Sequence, residues 1–436
     1  TNKNFNGNST IPLNLRIIIY RRNIKMTKNI LYISYDGMTD PLGQSQVLPY
    51  ICGLSKRGYS FTLISCEKLN RYESNKADIE KICSENGIDW RPLIYHKSPP
   101  ILSTVWDVNQ MQKLAYRLEE EKSFSIVHCR GYISALIGLG LKRRYGTKFL
   151  FDMRGLWADE KVDAGAWRLD HPVYNWVYKF FKKKEREFFT HADQTVSLSE
   201  RGKKEIQSWD YMRGIADNIT VIPCCADMDL FDYHSINDED KNDWKIRLGI
   251  KDNYFILSYL GSIGTWYMLE EMLDFFVVLR TKYSNAKFLF ITHDEHDRIR
   301  TEAVKRRIEQ HIIIRPASRD NVPRLLSLSN LSLFFIRPTY SKLASSPTKQ
   351  AEIMAMGIPL ICNAGVGDTD VLVKKYEAGY VLSKLTVEDY SLILNKIDLS
   401  QFDKSKLRAG ALDYASLIGG VRSYAAIYEK LCADVG

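Results

Sequence analysis

Between Ser345 and Asp368 the chain reads SSPTKQAEIMAMGIPLICNAGVGD, and it places a lysine, Lys349, one helical turn before a glutamate, Glu352. Ser346 is a good N-cap, and Pro347 suits the first helical position because its missing N–H has no partner there. Gly357, with Pro359 beyond it, is a stop signal. The pattern predicts one short helix and then a buried strand, PLICNA. At the third position of such a helix a capping box would place Glu or Gln, and the macrodipole favours negative charge there by up to about 1 kcal/mol. Lys349 opposes both preferences. Either it pairs with Glu352 across i,i+3, or it converges with the free N–H groups of this turn on an anion, most often a phosphate.

Other polar residues that could do chemistry follow strand-like runs. SYDGMTDPLGQSQ follows the first of them and passes through Gly43 into a helix pattern, and GSIGT places Gly261 and Ser262 after YFILSYL. His293, Arg315 and Arg337 each end a run in the second half, and Arg130, Asp152 and Arg154 do so in the first. Arg130 and Arg154 carry planar donors suited to phosphate or carboxylate, or to ion pairs. The aspartate pairs in DMD (227–229) and DTD (368–370) could hold a divalent metal, but read better as a linker turn and as the cap of a following helix. Neither G-x-G-x-x-G nor the P-loop pattern occurs, which disfavours a dehydrogenase and an NTPase.

The elements that must position these residues alternate. Strand candidates are NILYISY, FTLIS, SIVHC, KFLFDM, QTVSLS and NITVIP, then YFILSYLGS, AKFLFITH, HIIIRP, LSLFFIR, PLICNA and GYVLS. Near-continuous apolar runs of this length suit parallel strands buried on both faces. With helical segments between them they predict an α/β protein of two Rossmann-like, doubly wound domains facing a central cleft. The expected division is a first domain over 26–230, a polar linker over 231–252, a second domain over 253–415 and a final amphipathic helix over 416–436. Residues 1–25 are expected to be a flexible extension and a poor signal peptide, since Arg16 breaks their apolar run.

At 436 residues two domains are the natural prior. The net charge of +9 fits polyanionic ligands or an acidic membrane surface and is too mild and dispersed to argue for nucleic acid. Eight cysteines show no metal-ligand spacing and several sit in strand-like runs, which favours a reducing, cytoplasmic setting. The segment YNWVYKFFKKKEREFF (Tyr174–Phe189) reads as a core-packed helix with a basic solvated face; peripheral attachment to anionic lipid at the inner face of the plasma membrane is the other reading.

YDGMTDPLGQSQVLPYICGLSKRGY, VIPCCADMDLF, YLGSIGTWYMLEEML and above all SPTKQAEIMAMGIPLICNAGVGD resemble glycosyltransferase family 4, of the GT-B fold, in order over nearly all of residues 26–436. The resemblance implies a retaining sugar transfer, with no bound metal and no cofactor, from a nucleotide-sugar in the second domain to a glycan or lipid-linked acceptor in the first. It implies a place in bacterial surface polysaccharide assembly. Lys349 would hold the donor diphosphate and Glu352 the ribose hydroxyls; Gly43, Gly261 and Ser262 would let backbone approach the phosphates and sugar. Arg315 would lie near the base, with Arg337, Ser345, Ser346 and Thr348 completing the donor site. Arg130, Asp152 and Arg154 would face the acceptor, and Asp152 would be a helper in catalysis. Two departures stand out. The family often carries a glutamate on the transferred sugar eight positions before Glu352, and Ala344 stands there; it also often has Arg and Lys after the GSIG turn, where TWYMLEE has neither. A GT-B epimerase or phosphorylase, or a non-catalytic two-lobed nucleotide-sugar binder, are the alternative functions.

Overall fold

The computed structural model describes residues 28–215, 217–294 and 296–433. The expected extension 1–25 and the last three residues lie outside them. The first sheet contains β1 (Asn29–Ser34), β2 (Ser60–Glu67), β3 (Asp89–Ile94), β4 (Ile126–Arg130), β5 (Lys148–Asp152), β6 (Gln194–Ser197) and β7 (Ile219–Val221), in the order β3-β2-β1-β4-β5-β6-β7. The second contains β8 (Ile256–Leu260), β9 (Lys287–Ile291), β10 (Ile312–Arg315), β11 (Leu331–Phe334), β12 (Leu360–Asn363) and β13 (Gly379–Leu382), in the order β10-β9-β8-β11-β12-β13. Every neighbouring pair is parallel. The central strands β4, β8 and β11 are buried along their whole length, as apolar runs covered by helices on both faces require.

All twelve expected strands form. The thirteenth, β3, was not expected: DWRPLI carries a proline and is only half-buried, because it is an edge strand and its missing N–H disturbs no central ladder. The expected polar linker is more ordered than its composition implies. Asp238–Leu248 is a helix, capped by the Asn237 side chain on the Asp240 N–H, with three acids in its first turn and Gly249 in the left-handed conformation at its end. Its Trp244 is buried in the core of the second domain. The final helix, Leu417–Ala433, packs Val421, Tyr424, Tyr428 and Leu431 into a cluster with Ile30, Tyr32 and Tyr50 beneath the first sheet. Backbone bonds from Ala226 to Ala415 O and from Leu417 to Ala226 O, both 2.9 Å, lock its entry.

Candidate functional site

β8 and β11 are neighbours, but the chain leaves them in opposite directions, toward β9 and toward β12. The loops that follow them meet at this switch point, the place where open parallel sheets bind ligands. The first loop carries Gly261 and Ser262; the second runs through Arg337, Ser345 and Ser346 into the helix Thr348–Ala355. Gly261 has φ +110°, and a Cβ there would stand 2.9 Å from Lys349 Nζ. Only glycine accepts that backbone and leaves room for the ammonium.

Lys349 is buried and donates to the Tyr259 hydroxyl at 3.0 Å. Its Nζ lies 4.3 Å from the Tyr259 ring centroid and 3.8 Å from that of Tyr267, so two aromatic faces attract the cation without neutralising it. Glu352, the partner of the local reading, instead meets Arg319 Nη1 at 3.4 Å. Burial pushes the Lys349 ammonium down to about 7, against the pull of the nearby Glu352 charge. Burial likewise raises the Glu352 carboxyl, against Arg319 and Lys349.

The helix starts one residue later than expected. Pro347 takes the cap position and makes no side-chain cap bond, while the Ser346 hydroxyl accepts the N–H of Cys224 from the first domain at 3.2 Å. A buried ammonium beside an uncapped helix N-terminus, with no ion pair among the described residues, is arranged for an anion.

The other expected donor residues are spread more widely. Thr348 opens the helix, half-buried, and Ser345 is half-buried just before it. Ser262 is exposed, and its carbonyl accepts from the Tyr259 hydroxyl, tying the glycine turn to the ring beneath Lys349. Arg337 is exposed, and Arg315 is exposed with its guanidinium 5.6 Å from the Trp244 ring. The arginine that reaches Glu352 is Arg319, four residues past Arg315, which the sequence reading passed over. Its signal was the second arginine of RPASRD after a strand. Gly43 serves its own loop: a Cβ there would lie 2.2 Å from Gly37 O and 2.6 Å from Met38 Cα.

In the first domain Arg130 and Asp152 end β4 and β5 in register. Asp152 is fully buried, with Arg154 Nη1 at 3.7 Å, His128 Nε2 at 3.6 Å and Arg130 Nη1 at 3.9 Å, and it accepts from the Tyr424 hydroxyl of the final helix at 3.1 Å. Burial alone would raise its carboxyl, but Arg154, the His128 ring and Arg130 together hold it at about 2. Arg154 has φ +57°, and its Nη2 donates to Cys224 Sγ at 3.1 Å. It also lines the cleft beside Ser346 and Tyr267. Of the three residues expected to face an acceptor, Arg154 reaches the cleft, Asp152 is buried against Tyr424 of the final helix, and Arg130 is buried with its guanidinium on Asp36 and the Gln46 carbonyl.

The two aspartate pairs hold protein groups. Asp227 accepts the N–H groups of Asp229 and Leu230 at 3.0 and 3.2 Å, a turn. Asp368 does not cap its own helix as expected. It accepts the N–H groups of Glu200 and Arg201 at 2.6 and 3.1 Å, capping a helix of the other domain, and Asp370 grips the Arg201 guanidinium at 2.7 and 3.0 Å. Ser199 Oγ, donating to Leu343 O at 2.7 Å, adds to the same bracket.

Comparison with known proteins agrees with this architecture. Residues 46–230 match the family described as Glycosyltransferase Family 4, and residues 240–410 match Glycosyl transferases group 1. No curated protein matches the chain. Among solved structures, a sucrose-phosphate synthase from Thermosynechococcus elongatus aligns with TM-score 0.70 at 14% identity, covering 93% of this chain and 99% of that one. Anabaena HepE in complex with UDP and glucose aligns at 0.67 and 12%, covering 92% and 99%. WaaG, a glycosyltransferase involved in lipopolysaccharide biosynthesis, aligns at 0.62 and 14%, covering 93% and 99%.

Proposed function

Because this chain belongs to the GT4-like glycosyltransferases of the GT-B fold, we propose that it moves a sugar from a nucleoside-diphosphate sugar, bound at Lys349, to a glycan or lipid-linked acceptor held by the first domain. The observation that carries this reading is the buried ammonium between Tyr259 and Tyr267, without an ion pair among the described residues, at an uncapped helix N-terminus. Structures of a like fold hold UDP and UDP-glucose.

Breaking the bond between sugar and diphosphate leaves negative charge on the diphosphate and positive charge on the ring. Lys349 and the first-turn N–H groups stabilise the first in a dry cleft and need no reorganisation as the bond breaks. With that positive charge supplied by the chain, the transfer is proposed to proceed without a metal. Retention would follow from attack on the leaving-group face, with a phosphate oxygen taking the acceptor proton. Assembly of a bacterial surface polysaccharide is the proposed setting.

The experiment is a thermal-shift screen against UDP- and GDP-linked sugars, followed by transfer assays with acceptor extracts in EDTA. A ligand at 100 times its Kd stabilises the folded state by about 2.7 kcal/mol. The expected result is a shift with one donor class and transfer only when an acceptor is present. Epimerised sugar without acceptor, phosphate-dependent cleavage, or binding with no turnover would each replace this reading by one of its rivals.

We also propose attachment to anionic membranes. Among the described residues no helix is long and apolar enough to cross a membrane. The helix Pro172–His191, however, buries Val177, Phe181, Phe188 and Phe189 and exposes Val173, Trp176, Lys179, Lys183 and Arg186 along one face. An aromatic among cations suits an anionic interface. Sedimentation with anionic but not neutral vesicles, lost in Trp176→Ala/Lys183→Glu, is the expected outcome.

A further inference from the structure

Ala344 stands where the resemblance implies an acidic contact to the transferred sugar. It is fully buried and packs against Gly202 of the first domain, so no acid could stand there without entering that core. A sugar carried into the cleft on a diphosphate still presents hydroxyl donors, and their strongest acceptor is a carboxylate.

The pocket next to Lys349 is lined by Arg154 and Glu160 from the first domain, and by Trp266, Tyr267, Lys342 and Ser346 from the second. Among its described lining residues Glu160 is the only carboxylate. It belongs to the short helix Trp157–Asp163, beside the glycine turn that follows Arg154. Its Oε1 meets Lys342 Nζ at 3.1 Å, and its Oε2 stands 3.9 Å from where a Cβ on Gly155 would be. The same Gly155 point is 3.8 Å from Ala344 O, so the Glu160 carboxylate and the Ala344 backbone both stand within 4 Å of it.

Lys342 is 7% exposed and lies 3.7 Å from the Trp266 ring centroid. Among the described residues its ion-pair partner is Glu160, with the Asp163 charge also acting on it, and both come from the other domain. A second bond, from the Ser341 N–H to Asp163 Oδ2 at 3.0 Å, aligns the same two segments.

We propose that Glu160 is the acidic contact to the transferred sugar, accepting its hydroxyl hydrogens in place of the side chain that Ala344 lacks. Lys342 is the positioning residue that holds it. The proposal rests on the nucleotide-sugar reading above. A carboxylate delivered by the first domain makes sugar recognition depend on the two domains standing together. The sugar is thus read only where the two domains together form the pocket.

The test uses the full chain and measures binding of UDP, UDP-glucose, GDP and GDP-mannose, and turnover of the donor that transfers. In Glu160→Gln the affinity for the nucleoside diphosphate should hold, while the sugar-bearing donor binds about tenfold less tightly relative to it, the range of one hydrogen bond to a charged group. Turnover should fall further than donor affinity does. Lys342→Met should give the same pattern more weakly, with the diphosphate again unaffected. An unchanged ratio of donor to diphosphate affinity in Glu160→Gln overturns the proposal. So does an equal loss for both ligands, which marks a bracket between domains and no sugar contact. If the unaltered chain binds none of the four ligands, the nucleotide-sugar reading fails first, before any variant is compared.

Discussion

Asp152 and Lys349 occupy matching places. Each is a buried charge near the carboxyl ends of its own parallel sheet, Asp152 ending β5 and Lys349 in the helix that follows β11. Around Asp152 the protein supplies two guanidiniums, an imidazole and a tyrosine hydroxyl, one of them from the final helix. Around Lys349 it supplies two aromatic faces and one hydroxyl. The carboxylate is held more acidic than usual, at about 2, and the ammonium is pushed down to about 7. Charged internal partners surround the first site, although Asp152 Oδ1 and His128 Nε2 find no hydrogen bond among the described residues, and Tyr424 makes it a fastening for the final helix. The second is short of one negative charge, and that shortage is what a ligand can fill. Burial of a charge thus points to function only where its partners do not balance it.

The comparison breaks most visibly at Asp152. Asp152→Asn removes the carboxylate from Arg154 and from the Tyr424 hydroxyl while keeping the shape. Leaving a buried charge without its partner costs about 3–5 kcal/mol, which urea unfolding of the variant measures. A loss below about 1 kcal/mol would mean that the cluster is no fastening. The sign with pH is set by the lowered carboxyl. Its contribution, about 2 kcal/mol for a drop from 3.8 to about 2, is present above pH 4 and disappears as pH falls through 2.

The opposite outcome is expected one domain away. Lys349→Met keeps the length of the side chain between Tyr259 and Tyr267 and removes its charge. Transfer should fall by roughly 10²–10³, the cost of one preorganised group at a developing charge. The unfolding midpoint should not fall, because the native state loses a cation that burial disfavours. Transfer within a factor of three of the unaltered enzyme would remove Lys349 from the donor site.

Sequence alone made one of these two sites easier to read than the other. The Lys349 site is partly local: its helix, glycine turn and strand order all leave marks in short stretches, and Lys349 contradicts the rule for its own position. The Asp152 cluster draws on residues as far apart as His128 and Tyr424, and periodicity marks neither as a partner of the other. The same distance hid Arg319 from Glu352 and Glu160 from Lys342, since ion pairs between loops leave no spacing to find. Twelve strands were legible because buried parallel strands are apolar throughout. β3 was not, because an edge strand tolerates Pro92 and a mixed face. Ser346 has the type of a cap, but the fold spends its hydroxyl on the Cys224 N–H, so the helix begins without a side-chain cap.

The smallest expected effect is also the most specific to the unbalanced site. Burial holds the Lys349 ammonium down at about 7, and a bound diphosphate would favour its charged form, so binding should take up a proton once the pH is above that value. Affinity for UDP or GDP should be level just below pH 7 and fall about tenfold per unit above it, until the raised value of the complex is reached. Calorimetry at pH 8 in two buffers of different ionisation enthalpy should show uptake approaching one proton. Lys349→Met should flatten the profile and abolish the uptake. Folding stability should move the other way, rising with pH between about 7 and the unfolded value of 10.5, because the unfolded chain holds the proton that the native site gives up. Asp152 has no counterpart to either trend in that range, since its partners hold it ionised throughout. A diphosphate affinity that stays level from pH 6.5 to 9 would show Lys349 already charged before binding, and so balanced by a partner as Asp152 is.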